Sequence, residues 1–117
     1  MSINASRITI QQGEDVTIQV SVIDANDVAV DITGFNFQAD IRIEREGAVQ
    51  IVTKSSGSGI TITDASGGVY EIILASADTK KLRVPATYFW DTWRTDNGKK
   101  AQLAYGDLEV LGSAVQP

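Results

Sequence analysis

Phe35-Asn36-Phe37-Gln38-Ala39-Asp40-Ile41-Arg42-Ile43-Glu44 is the stretch on which the fold turns. Phe35, Phe37, Ala39, Ile41 and Ile43 fall on one face of an extended chain, and Asn36, Gln38, Asp40, Arg42 and Glu44 on the other. That is the two-residue period of a strand with one dry and one wet side. A one-residue slip would turn the whole polar set inward, so the register is firmly specified.

Upstream, Val16, Ile18, Val20 and Val22 alternate with Thr17, Gln19 and Ser21, which predicts a second half-buried strand. Ile8 to Ile10 forms a shorter one, joined to it by a turn at Gln12-Gly13-Glu14. Ala25-Asn26-Asp27-Val28 and Asp31-Ile32-Thr33-Gly34 supply two corners before the deciding run, because Asn, Asp and Gly are the residues that turns favour.

Downstream, Glu46-Gly47 turns the chain into a strand at Val49 to Thr53. Ser55-Ser56-Gly57-Ser58-Gly59 then reads as a mobile loop, since Gly and Ser have nothing to pack. It is no phosphate loop: its lysine, Lys54, precedes it and no helix follows. Ile60 to Thr63 and Val69 to Leu74 form a hairpin about Asp64-Ala65-Ser66-Gly67-Gly68. One or two helical turns are expected next, with Ser76 as N-cap, Asp78 in the first turn, Lys80 and Lys81 in the last, and Pro85 barring continuation.

The final hairpin centres on Asn97-Gly98, suited to a type I′ turn with positive φ at both central residues. A two-residue loop sets Trp90 opposite Tyr105, Thr92 opposite Leu103 and Tyr88 opposite Asp107. The last pairing places a carboxylate on an apolar face, and an extra residue at Gly106-Asp107 would repair the parity, as a β-bulge does. Strands at this spacing with one short helix predict one domain over 1–117, all-β, an immunoglobulin-like antiparallel β-sandwich, with a small barrel as the alternative.

Composition narrows function by exclusion. With 117 residues, 43% apolar and 21% charged, the chain can build one core. A net charge of −5 disfavours a nucleic-acid surface, which needs clustered cations. No run approaches the length of a membrane span, and the start lacks an export signal, so synthesis in the cytoplasm is expected. The absence of Cys and His removes thiolate metal sites, disulfides and imidazole-dependent catalysis. No enzyme and no cofactor are expected.

Three groupings carry candidate chemistry. Asp24, Asn26, Asp27 and Asp31 could offer oxygen to calcium but lack the Gly and terminal Glu of an EF-hand loop, so they read as turn formers and no metal is assigned. Asp91, Asp107 and Glu109 imitate a glycosidase carboxylate set but read as solvated residues on a strand face. Trp93 differs in parity from Trp90, so if Trp90 is buried Trp93 points outward. Trp93 with Arg94 and Gln102 is therefore the candidate binding group, for a protein surface or a sugar ring.

The order of these elements carries a resemblance. Gly13-Glu14-Asp15, the corner Asp31 to Gly34, Gly59 to Asp64, the Gly-Val-Tyr strand Gly68 to Tyr70, Ser76 to Thr79 and Tyr88 to Asp91 follow one another as in small virion proteins of tailed bacteriophages. The chain resembles the immunoglobulin-like domain at the start of phage upper baseplate proteins over nearly its whole length. It departs from that pattern at Arg83 to Thr87 and at Trp93-Arg94. The resemblance implies a structural protein of the virion, in tail, baseplate, neck or fibre. It would make protein-protein contacts with other virion proteins in several copies, with self-association open and no nucleic acid or membrane as partner. A carbohydrate- or host-surface-binding sandwich and a head decoration protein are the alternatives.

Overall fold

The computed structural model describes residues 4–5, 8–42, 50–82, 86–96 and 100–112. Its strands are β1 (Asn4–Ala5), β2 (Ile8–Gln11), β3 (Val16–Ser21), β4 (Phe37–Arg42), β5 (Gln50–Ser56), β6 (Gly59–Asp64), β7 (Val69–Leu74), β8 (Ala86–Arg94) and β9 (Ala101–Leu111). One helical turn, α1 (Ser76–Thr79), lies between β7 and β8.

Neighbouring strands follow the order β1-β9-β8-β4-β5-β6-β7-β3, with β2 beside β1 on β9. The sheet folds over at β5 and β6, where Ser55 and Ser56 pair with Gly59 and Ile60. Strands far apart in that order meet across the core: Phe37 of β4 stacks on Tyr70 of β7 with ring centroids 4.3 Å apart. The molecule is thus a sandwich, with β3, β7 and β6 as one layer and β2, β9, β8, β4 and β5 as the other. That strand order is the arrangement of an immunoglobulin-like fold. The expected all-β sandwich with one short helix is what the chain forms, but it is mixed and not wholly antiparallel: β1 and β2 run parallel to β9, and β5 to β6.

The predicted alternation holds in the core. Ile18 and Val20 of β3, Phe37, Ala39 and Ile41 of β4, and Tyr70, Ile72 and Leu74 of β7 are buried together with Trp90, Leu108 and Val110. No disulfide ties the layers, since the chain has no Cys. Tyr70 does so instead: it is fully buried, and its hydroxyl shares a 2.5 Å hydrogen bond with Thr92 Oγ1 on β8.

Several local expectations need correction. Residues 55–59 are an ordered corner, not a mobile loop: Ser55 N–H donates to Ser58 O, Ser58 N–H donates to Ser55 O, and Ser56 Oγ accepts the N–H of Phe37. The N-cap of α1 is Ala75, not Ser76. Asp78 Oδ2 accepts the Ala75 N–H at 2.9 Å, and the Ser76 N–H donates to Asp15 Oδ1 at 2.7 Å. Lys54 Nζ lies 2.8 Å from Asp78 Oδ2. Thr79, fully buried, accepts the Gly13 N–H and donates to Glu14 O, which fastens the crossover to the β2–β3 turn.

The final hairpin contains a bulge, three residues before the expected place. Arg94 pairs with Ala101 and Trp93 with Gln102, but Thr92 pairs with Ala104 and Trp90 with Gly106, so Leu103 is the extra residue. Leu103 and Ala104, at the bulge, are both fully buried. Gly106 sits in regular register. The Asn97-Gly98 turn and the Glu46-Gly47 turn lie outside the described residues.

Candidate functional site

The outer face of the larger layer is built by the odd partners of the core residues. On β4 these are Gln38, Asp40 and Arg42; on β8, Phe89, Asp91 and Trp93; on β9, Gln102, Tyr105 and Asp107. Trp90 is 3% exposed and Trp93 36%, so the two indoles point to opposite sides, as their parity requires.

Trp93 is a held platform. Its Nε1–H donates to Asp91 Oδ2 at 2.9 Å, and Gln102 Nε2 approaches the same oxygen at 3.4 Å. Beside the ring opens a cavity of about 290 Å³ lined by Gln38, Asp40, Arg42, Trp93, Thr95 and Lys100. Farther along the face, Phe89 and Tyr105 meet with ring centroids 6.3 Å apart.

Asp107 is exposed, as the sequence led one to expect, but the other two carboxylates of this face are not. Asp40 and Asp91 lie directly opposite each other in the β4–β8 register and are 4% and 6% exposed. Arg42 Nη2 sits 3.0 Å from Asp40 Oδ2. Asp91 Oδ1 is buried without a hydrogen-bond partner. Like charges opposed across a ladder oppose folding, and buried polar atoms are ordinarily satisfied. Such departures concentrate where a protein meets a ligand or partner. Asp91→Asn retains an oxygen for the Trp93 indole and removes one charge, so it is expected to stabilise the fold by about 0.5 kcal/mol. Asp91→Ala is expected to cost about 1–2 kcal/mol by orphaning the indole N–H. Urea unfolding curves of the two variants distinguish these effects.

Of the three sequence-stretch candidates, Trp93 and Gln102 are brought together and Arg94 is set apart. Arg94 belongs to the opposite parity and lies over the Phe35 ring, 3.5 Å from its centroid. Its Nε and Nη2 donate to Asp96 Oδ1 and Oδ2 at 2.8 and 2.9 Å. Asp96 also accepts the Asn36 N–H, so this pair locks the entry of β4 to the exit of β8. The guanidinium, aided by that N–H, holds the Asp96 carboxyl well below the usual carboxylate range. A depressed carboxylate stabilises the fold fully above its unfolded pKa of about 4 and loses that contribution as pH falls. Asp96→Asn is therefore expected to flatten the loss of stability below pH of about 4, measured by urea midpoints across the acid range.

Asp40, Gln38, Arg42 and Lys100 join the site although no local motif marks them. The polar parity of the deciding strand contains the first three, but only the pairing of β4 with β8 sets them beside Trp93. The Asp24 cluster is a turn: Asp24 Oδ1 accepts the N–H groups of Asn26 and Val28, and Asp31 Oδ1 accepts both the N–H and hydroxyl of Thr33. These bonds hold both carboxyls below their ordinary pKa.

Strand order and core define the class: an immunoglobulin-like β-sandwich. Compared with protein-family models and with curated proteins, the chain matches none. Among solved structures it is similar to the NK cell receptor NKp44, described as a triggering partner in natural cytotoxicity. The identity is 13%, the coverage 97% of this chain and 100% of that one, and the TM-score 0.43.

Proposed function

We propose that the chain is a non-enzymatic structural protein of a tailed-bacteriophage virion, seated among other virion proteins through the outer face of β4, β8 and β9. The observation that carries the contact face is Trp93: an exposed indole held by Asp91 beside a cavity with Gln38, Asp40, Arg42 and Lys100 around it. An aromatic fixed in one orientation loses little conformational freedom on docking, and Trp is the residue most often found as an interface anchor. Placement in the virion, in tail, baseplate, neck or fibre, rests on the order of sequence motifs. Several copies per particle would multiply the strength of one small face.

The test is incorporation. In phage carrying Trp93→Ala, the chain is expected to fall about tenfold or more in purified particles, the penalty of losing one anchor, while the isolated variant, with Asp91 Oδ2 deprived of its indole donor, loses about 1–2 kcal/mol but stays folded. Quantitative mass spectrometry of particles reads the first and circular dichroism the second. Unchanged incorporation would remove Trp93 from the contact. If incorporation is unchanged and chemical shifts of the Trp93 indole move with monosaccharides instead, the carbohydrate-binding alternative takes its place.

A further inference from the structure

The sandwich has an open seam. β3 ends the strand order, and among the described residues no strand pairs with its second edge. Val22 N–H donates to Gly68 O, and the register runs unbroken from Val16↔Leu74 to Ser21↔Val69. In an antiparallel ladder, alternate residues send both backbone groups to the same neighbour. The amides of Val16, Ile18 and Val20 therefore face β7, and those of Thr17 and Gln19 face the seam.

Across the seam lies the outer edge of β2. Gln12 N–H donates to Leu111 O, which sets the parity of the parallel β2–β9 ladder: Ile8 and Ile10 bond to β9, while Thr9 and Gln11 face outward. Glu14 Oε1 covers the Gln11 N–H at 2.8 Å, leaving Thr9 as the exposed rung.

Between these edges is a groove of about 690 Å³ that reaches Trp90 of the core. Its walls repeat with period two: Ile8, Ile10, Val16, Ile18 and Val20 are apolar, and Thr9, Thr17 and Gln19 between them are polar. Only an extended chain matches both that period and the outward backbone groups. The charged residues lining the groove are Glu14 and Asp15, both where β3 begins. A bound strand therefore carries a cation at that end, opposite these two carboxylates.

We propose that the groove between β2 and β3 receives an extended segment of a partner polypeptide as an inserted strand. The segment runs antiparallel to β3, has apolar side chains at alternate positions, and carries Lys or Arg at its C-terminal end, against Glu14 and Asp15.

The probe is acetyl-Thr-Val-Thr-Val-Thr-Lys-amide, titrated into the full chain by calorimetry, with amide hydrogen exchange read residue by residue. Binding is expected to slow exchange at Thr9, Thr17 and Gln19. N-methylation of alternate peptide amides, or replacement of the terminal Lys by Glu, is expected to weaken binding about tenfold or more. Gln19→Pro, which removes an outward N–H and no β7 bond, is expected to do the same. Absence of binding, binding indifferent to N-methylation, or protection confined to other amides would overturn the proposal. So would a concentration-dependent dimer that protects these same amides, because the occupant would then be a second copy. None of these outcomes involves Trp93, so the proposal fails or stands apart from the contact face.

Discussion

Replacing Tyr70 by alanine is expected to cost about 3–5 kcal/mol, a large share of the roughly 5–15 kcal/mol that holds a domain folded. The residue lies on β7 in the smaller layer, is fully buried, and has its ring stacked on Phe37 of the larger layer. Its truncation leaves a cavity bounded by strands of both layers and strips Thr92 Oγ1, also fully buried, of its partner. Tyr70→Phe keeps the stack and is expected to cost about 1–2 kcal/mol, the penalty of one orphaned hydroxyl. Urea midpoints of the two variants separate packing from hydrogen bonding.

The same phenol makes the fold sensitive to alkali. Burial pushes the Tyr70 hydroxyl up to about 12, against the smaller opposing effect of the Thr92 hydrogen bond. The unfolded phenol titrates near 10, so the unfolded chain releases its proton first. The contribution is full below pH of about 10 and is lost as pH rises towards 12, up to about 2–3 kcal/mol in all. Tyr70→Phe is expected to remove that alkaline component. A wild-type slope that survives the substitution would assign it elsewhere.

How much of this was legible in the chain depends on the reach of each interaction. The strand at Phe37–Arg42 and the orientation of Trp93 follow from side-chain alternation, a local property. Gln102 was reachable because a hairpin pairs residues across a short turn. Arg94 is set apart from Trp93 because it pairs with Asp96 two residues on and lies over Phe35, a contact that only the docking of β4 against β8 supplies. Asp40 and Asp91 looked like solvated carboxylates for the same reason: about fifty residues separate them, and pattern along one strand does not reveal what lies opposite. The bulge was demanded by parity, but parity over the strand leaves its exact place open, and the pairing puts it at Leu103, between the partners of Thr92 and Trp93. Residues 55–59 show a different failure, since Gly and Ser suggest mobility while the backbone there satisfies itself in a tight corner.

Gly68→Ala is expected to destabilise by about 2–5 kcal/mol, as the sum of about 1–2 for a left-handed backbone and about 1–3 for overpacking. Gly68 has φ +72° and is buried at the base of the β6–β7 hairpin. A Cβ there would stand 2.6 Å from Val30 O and 2.7 Å from Val22 O. Neither is the end of a flexible side chain: Val22 O accepts the Val30 N–H, and Gly68 O accepts the Val22 N–H. To admit a methyl group the chain must part β3 from the hairpin at the point where the Asp24 turn returns. Gly34→Ala is the control, with a similar φ of +81° but nothing within 4 Å of its Cβ. It is expected to cost only the conformational part, about 1–2 kcal/mol. The difference in urea midpoint between the two variants measures the close approach alone, and equal midpoints would show that Gly68 is required for its backbone angle and not for the space it leaves.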